Sequence, residues 1–250
     1  MALITLNRPE KRNAFSPELL RRWRESLLQA QEDPEVRAIV VTGAGPDFCA
    51  GGDIDNMRRR IDLPSLDRKT SLEQEIQTIP LTLARIDKPV IAAVNGSATG
   101  AGMDMALMCD LRVAGTRTRF AQRYINVGIM PGAGGAWFLP RLVGEARALE
   151  LLWTGRWVYA EEAQAMGLVN QVVDDENVLE AALELAGDIA KAPPVTVRYM
   201  KRAVKQAATM DLPSHLDLVS SHMTVVTSTQ DYREALAAIV EKRGPSYKGY

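Results

Sequence analysis

The sequence predicts an α/β fold whose core sheet is covered on both faces. Three observations carry the expectation. Segments of β and α character alternate several times along the chain. The β segments, such as "RAIVVTG" and "KPVIAAVNG", are short and apolar throughout, without the in-and-out alternation of a one-sided sheet. Two of them run into glycine-rich bends, and α/β sheets collect their ligands at the carboxyl ends of strands.

In order, "ALITL" opens as a β segment and stops at Asn7, Arg8 and Pro9. A helix follows: Ser16 caps it, Pro17 suits its first turn, and Leu19, Leu20, Trp23, Leu27 and Leu28 recur at helical spacing. "RAIVVTG" is a buried strand that leads into the loop "GAGPDFCAGGDI". Residues 57–75, "MRRRIDLPSLDRKTSLEQE", are charged and broken by Pro64, and read as a mobile loop leading into a helix. "KPVIAAVNG" is the next strand, "DLRVAG" a third and "RFAQ" a fragment of a fourth. "PGAGGAWFLPRLVG" reads as a loop bearing a helical turn. Helices dominate from "GEARALELLWTG" onward, with "GLVNQVV" as a strand between them. The paired prolines of "APPVTV" mark a boundary, dividing a core over 1–191 from a C-terminal helical segment over 192–250.

With 250 residues, 46% of them hydrophobic, the chain can bury one large core, alone or with an appendage. Thirty Lys and Arg nearly cancel 31 Asp and Glu, and a net charge of −1 gives no electrostatic case for nucleic acid. Cys49 and Cys109 form no CxxC pair, so zinc and redox motifs are not indicated, and buried free thiols in a reducing compartment are expected. The N-terminus turns polar too soon for a signal peptide, and the longest apolar runs are of strand length. A soluble cytoplasmic protein with no membrane or nucleic-acid partner is the expectation.

The chemistry should lie in the two bends, "FCAGGDI" and "GSATGAGMD". A dinucleotide site is disfavoured: Gly100 and Gly102 make G-x-G, but the third glycine position holds Met105, and no acid stands ~20 residues beyond the bend. No P-loop lysine follows "PGAGG" either. An oxyanion hole fits better. Two backbone N–H groups from separate loops can converge on one carbonyl oxygen, and a helix starting near Ala101 adds the positive end of its dipole.

At this point the chain resembles a known family over nearly its full length. "ITLNRPEKRNAFS", "IVVTGAGPDFCAGGDI", "KPVIAAVNGSATGAGMDMALMCDLRVAG", "FAQRYINVGIMPGAGGAWFLPRLVG", "ALELLWTGRWVYAEEAQAMGLVNQVV" and "AIVEKRGPSYKG" are similar, in order, to the crotonase, or enoyl-CoA hydratase/isomerase, superfamily. Relatives generally have one more strand ahead of "ITLNRP". The resemblance implies a crotonase (ClpP-like) spiral of ββα units with a C-terminal helical trimerisation segment, assembled as a homotrimer or a hexamer (dimer of trimers). It implies an acyl-CoA thioester as substrate and no separate cofactor, since coenzyme A is part of the substrate. Positions matching the coenzyme A contacts are Arg12, Ala14, Ala50, Gly51, Asp53 and Ile54, together with Lys242 in the C-terminal "EKRGPSYKG". Positions matching the oxyanion donors are the N–H groups of Gly52 and Ala101, the second being glycine in most relatives.

The same resemblance exposes a departure. Hydratases of the family hold water between two glutamates. Here the first position is Asp104 and the second is Tyr124, while Gly132 stands where some isomerases carry an acid. Asp104 is one methylene shorter, which withdraws its oxygens by ~1.5 Å. A tyrosine, with an ordinary pKa near 10, is a poor base at neutral pH. One carboxylate can still move a proton between two carbons of an enolate. The expectation is therefore an enzyme of enoyl-CoA hydratase/isomerase type, with Asp104 transferring the proton and Tyr124 in a supporting polar role. Divergent hydrolysis, decarboxylation or ring chemistry on an unusual acyl-CoA, and a catalytically weak CoA-ester-binding subunit, are the alternatives.

Each candidate also has a plainer reading. Asp104 suits a helix N-terminal acid that caps backbone N–H groups, and Tyr124 a pocket-lining aromatic. His215 and His222, seven apart on one helix, suit surface or interface packing rather than a metal site. Arg58, Arg59 and Arg60 suit either a solvated loop or CoA phosphates.

Overall fold

The computed structural model describes residues 1–250. Eight strands are present: β1 (Ala2–Leu6), β2 (Ile39–Gly43), β3 (Val90–Val94), β4 (Ser97–Thr99), β5 (Leu111–Gly115), β6 (Arg119–Ala121), β7 (Val158–Tyr159) and β8 (Gln171–Val173). Twelve α-helices accompany them: α1 (Pro17–Glu32), α2 (Ile54–Arg59), α3 (Ser65–Ser71), α4 (Thr78–Arg85), α5 (Ala101–Met108), α6 (Gly135–Val143), α7 (Glu145–Thr154), α8 (Ala160–Ala165), α9 (Val178–Ala190), α10 (Pro194–Ala207), α11 (Leu212–Ser228) and α12 (Gln230–Glu241).

The large sheet has the order β1-β2-β3-β5-β8 and is parallel throughout, with Ile4 beside Val41, Val41 beside Ala92 and Ala92 beside Arg112. The small sheet has the order β4-β6-β7. Two isolated parallel bridges, Phe15 with Gly52 and Cys49 with Ala98, extend it by the two earlier turns of the chain. Each of the first four turns thus gives a strand to the large sheet, an extended stretch to the small one, then a helix. That repeat is the ββα spiral.

Both faces of the large sheet are covered, as continuous apolar strands require. Ile39, Val41, Val90, Ala92 and Val94 point into a cluster of 38 buried residues shared with α1, α4 and α5. Val40, Ile91, Ala93 and Val113 point the other way, into a cluster of nine closed by Val178, Ala181, Ala182 and Ala186 of α9. Neither cluster includes a buried residue beyond position 186. Helix α10 instead joins the core through ion pairs: Arg202 with Asp87, and Lys201 (2.6 Å) and Lys205 (3.0 Å) with Asp110.

Two sequence expectations need correction. Residues 57–75 are largely helical rather than a loop, through α2, α3 and a π-helical turn over Leu72–Ile76. Asp53 caps α2 from its side chain, and Arg60 reaches Glu75 at 2.8 Å, closing the charged stretch on itself. Residues 131–144 carry a nine-residue helix, α6, and not a single turn. Strands β4 and β7, three and two residues long, are too short to register as hydrophobic patterns.

Candidate active site

The second bend begins where β4 ends. Gly100 holds φ at 51°, a left-handed conformation glycine adopts at little cost, and α5 starts at the next residue. Ala101 is therefore in regular helix, and its β-carbon is accommodated with 5% exposure. The residue of the bend that needs a positive φ is Gly100, not Ala101. As the first residue of α5, Ala101 has an N–H without an acceptor inside the helix.

The first bend is built against the second. Asn13, buried in a left-handed turn (φ 56°), donates from Nδ2 to the Ala44 (2.9 Å) and Asp47 (2.8 Å) carbonyls and pins residues 44–48. Phe15 N–H bonds the Gly51 carbonyl at 2.7 Å, and Thr99 N–H bonds the Cys49 carbonyl at 3.0 Å. Gly51 sits at φ 84°, and a β-carbon there would stand 3.1 Å from Ala101 N and collide with the Thr99 carbonyl. At Gly102 a β-carbon would drive into the Cys49 carbonyl. The glycines bring the two loops to backbone contact, and the Gly52 N–H is left without an acceptor beside the start of α5.

Gly52 and Ala101 line one cleft of about 990 Å³ together with Thr99, Gly100 and Tyr124. Leu72, Ile76, Met57, Ile129, Met130 and Ala133 make its apolar wall. Among the coenzyme A candidates, Arg12, Ala14, Ala50, Asp53 and Ile54 line it. Gly51 does not line it; at φ 84° it turns the loop between Ala50 and Gly52. Asp53 is held by Arg8 at 3.3 Å, and this pairing with the Asn56 N–H overcomes the effect of burial and keeps its carboxyl below the usual range. Lys242, in a left-handed C-cap of α12 (φ 55°), does not line the cleft. Nor do Arg58, Arg59 and Arg60. His215 contacts the Ala203 carbonyl at 3.0 Å, and His222 packs edge-on against Tyr199 at 4.7 Å.

Asp104 is fully buried and stands behind the cleft wall. Tyr124 comes between: its ring lines the cleft, and its hydroxyl donates to Asp104 Oδ2 at 2.7 Å. Gln122 Nε2 donates to Oδ1 at 2.7 Å, leaving its own Oε1 buried without a partner. Gly135, at the start of α6, lies so close that a β-carbon there would strike Oδ1. Burial pushes the Asp104 carboxyl up to about 6, against the lowering by Gln122, Tyr124 and the Gly135 N–H. Burial and the adjacent Asp104 charge hold the Tyr124 hydroxyl well above 10. Cys49, buried under the first bend, is pushed up to about 12 and stays a thiol. From behind, Arg112 fixes α5 by donating to the carbonyls of Ala106 (3.3 Å) in its last turn and Cys109 (2.8 Å) at its C-cap.

Sequence reasoning did not find Gln122, Gly135, Asn13 or Arg112. Gln122 carried a faint signal: as a polar residue two positions before Tyr124, directly after the buried Phe120 and Ala121, it had to find a buried partner. No helix is long and apolar enough to cross a membrane, and no three His, Cys, Asp or Glu side chains converge as metal ligands.

Fold and cleft define a spiral α/β protein in which backbone donors from two loops open beside a buried acid. The sequence model of the family described as Enoyl-CoA hydratase/isomerase matches residues 1–250. The chain is 37% identical to the 1,2-epoxyphenylacetyl-CoA isomerase of Escherichia coli K12, over 98% of this chain and 94% of that protein. It is also 37% identical to the 2,3-dehydroadipyl-CoA hydratase of the same organism, over 99% and 94%. Among solved structures, an enoyl-CoA hydratase from Bacillus anthracis superposes with a TM-score of 0.91 at 36% identity, covering 99% of this chain and 95% of that one. The chain belongs to the enoyl-CoA hydratase/isomerase family. It is an enzyme family of acyl-CoA processing, and the spiral seen here is the crotonase fold.

Proposed function

We propose that this protein is an isomerase of acyl-CoA thioesters. The thioester carbonyl oxygen sits between the N–H groups of Gly52 and Ala101, and the acyl chain lies along the wall of Leu72, Ile76 and Met130. Enolate formation places negative charge on that oxygen, and removing one such donor typically raises the barrier by roughly 3–4 kcal/mol. The observation that carries the reading is the 2.7 Å bond from Tyr124, which lines the cleft, to Asp104, which does not. A substrate carbon gives its proton to the Tyr124 oxygen as the Tyr124 proton passes to Asp104. Tyr124 stays neutral, Asp104 becomes the acid, and the enolate is held by the two N–H groups. Return of the proton to a different carbon moves the double bond. A carboxyl near 6 suits both halves of this exchange at neutral pH.

Hydration is the second reading, favoured by the relative named 2,3-dehydroadipyl-CoA hydratase. It needs a water held beside the double bond, and only one carboxylate, reached through a tyrosine, serves the reacting end of the cleft. The other acids lining it, Glu10, Asp47, Asp53 and Asp55, belong to the end proposed for coenzyme A.

Assembly follows from the same reading. Helices α10–α12 expose Met200 (63%), Val204 (75%), Ile239 (73%) and Val240 (82%), a face suited to other copies in a homotrimer or dimer of trimers. Lys242 would then reach coenzyme A in a neighbouring copy. No separate cofactor is called for, and a reducing cytoplasm suits the buried thiols Cys49 and Cys109.

The test is chromatographic separation of the positional isomers, with mass spectrometry, of a panel of enoyl-CoA thioesters after incubation in ordinary and heavy-oxygen water. Double-bond migration without mass gain is the expected result. Incorporation of a heavy oxygen on the acyl chain would establish the hydratase instead.

A further inference from the structure

The cleft carries two arginines that form no direct ion pair. Arg119 of β6 and Arg123, at the head of the 3-10 turn over Arg123–Val127, both stack on the Trp157 ring, with guanidinium carbons 4.3 and 5.4 Å from its centroid. All three side chains are half-buried and line the same cleft as Tyr124. Arg119 bonds only the Ser97 hydroxyl, at 3.1 Å, and Arg123 bonds nothing. Neither has a carboxylate within 4.0 Å, whereas Lys11 and Arg12 are matched by Asp55 at 3.0 Å and Asp47 at 3.9 Å; Asp47 reaches Arg119 only through Ser97, whose N–H it accepts at 3.3 Å.

The two guanidinium groups share one aromatic ring, and stacking on it keeps both forks from turning out to solvent. It leaves their N–H edges free, and those edges match the paired oxygens of an anion. Arg123 adjoins Tyr124 in the chain, and Asn126, Val127, Ile129 and Met130, which follow it, line the same cleft.

We propose that Arg119 and Arg123, ordered by Trp157, form an anion subsite that grips a carboxylate carried by the acyl group of the bound thioester. Its substrates are then dicarboxylic acyl-CoA thioesters or others with an anionic tail. The proposal rests on the acyl-CoA reading of the cleft. The same oxygen chemistry is offered by the phosphates of coenzyme A, and the experiment separates the two.

The test is binding, by isothermal titration, of free coenzyme A, hexanoyl-CoA and adipyl-CoA to the wild type and to Arg119→Gln, Arg123→Gln and the double variant. The wild type is expected to prefer adipyl-CoA over hexanoyl-CoA by tenfold or more, and the double variant to bring that ratio near one. If the variants weaken all three ligands by one common factor, the anion gripped is a coenzyme A phosphate and the carboxylate assignment is overturned. Unchanged affinities for all three would overturn the subsite itself. A wild type that binds no coenzyme A compound would remove the reading of the cleft, and the subsite with it.

Discussion

Asp104 holds its charge at a site that disfavours it. Its carboxyl is pushed from the ordinary 3.8 to about 6 by burial, so the folded protein binds this proton more tightly than the unfolded chain. Between about pH 4 and pH 6 the native state therefore loses stability as pH rises, and the penalty is complete above 6. A shift of this size corresponds to about 3 kcal/mol, taken as an order of magnitude. Asp104→Asn removes the titration, so the variant should be more stable than wild type by about 1–3 kcal/mol at pH 7 in urea unfolding, with the difference vanishing near pH 4. Tyr124→Phe deletes one of the groups that lower the Asp104 pKa. Its proton exchange should fall about 100-fold with thioester binding retained, and the acidic limb of its remaining pH profile should move above 6. The sequence pointed to both residues but not to their relation. A buried acid beside a bend was legible at position 104. That Tyr124 stands between it and the cleft depends on how β6 and α5 lie across each other, which one-dimensional spacing does not carry.

At the scale of elements, the site depends on close backbone approach between the two bends. Gly102→Ala would push the first turn of α5 away from the Cys49 carbonyl and spread the donors at Gly52 and Ala101. The expected outcome is a stability loss of about 1–3 kcal/mol, read in thermal unfolding, with a larger proportional loss of turnover than of binding. The strands and α1 were legible because their patterns follow the periodicity of the element: apolar runs for β2 and β3, and helical spacing with a Ser16 cap for α1. Residues 57–75 were misread as a loop because Pro64 and dense charge are the usual marks of one. Here the charges pair within the segment, through Arg60 and Glu75, and leave Leu72 to face the cleft. Of the small sheet only β6, in "RFAQ", was legible; β4 and β7 were missed for a related reason. The members of this sheet are two or three residues long and are assembled by pairing between turns of the spiral.

At the scale of the molecule, the two apolar clusters account for the core, and the C-terminal helices contribute an exposed face instead. A face carrying Ile239 and Val240 at more than 70% exposure is expected to be covered by another copy. Wild type should sediment as a trimer or a multiple of it, and Val240→Glu should shift the population to smaller species. A monomeric wild type would remove the assembly proposal. The paired prolines stand between the end of α9 and the start of α10; the docking of α10 by Lys201, Lys205 and Arg202 was not legible, because it joins charges far apart along the chain.

The central claim is that Asp104, acting through Tyr124, moves a substrate proton while the two bends hold the enolate. It is tested most directly by deuterium uptake at the α-carbon of a bound acyl-CoA in heavy water, compared between wild type and Asp104→Asn. Steady uptake in wild type and a loss of at least about 100-fold in the variant, at unchanged thioester affinity, is the predicted result. Uptake in Asp104→Asn equal to that of wild type would contradict it.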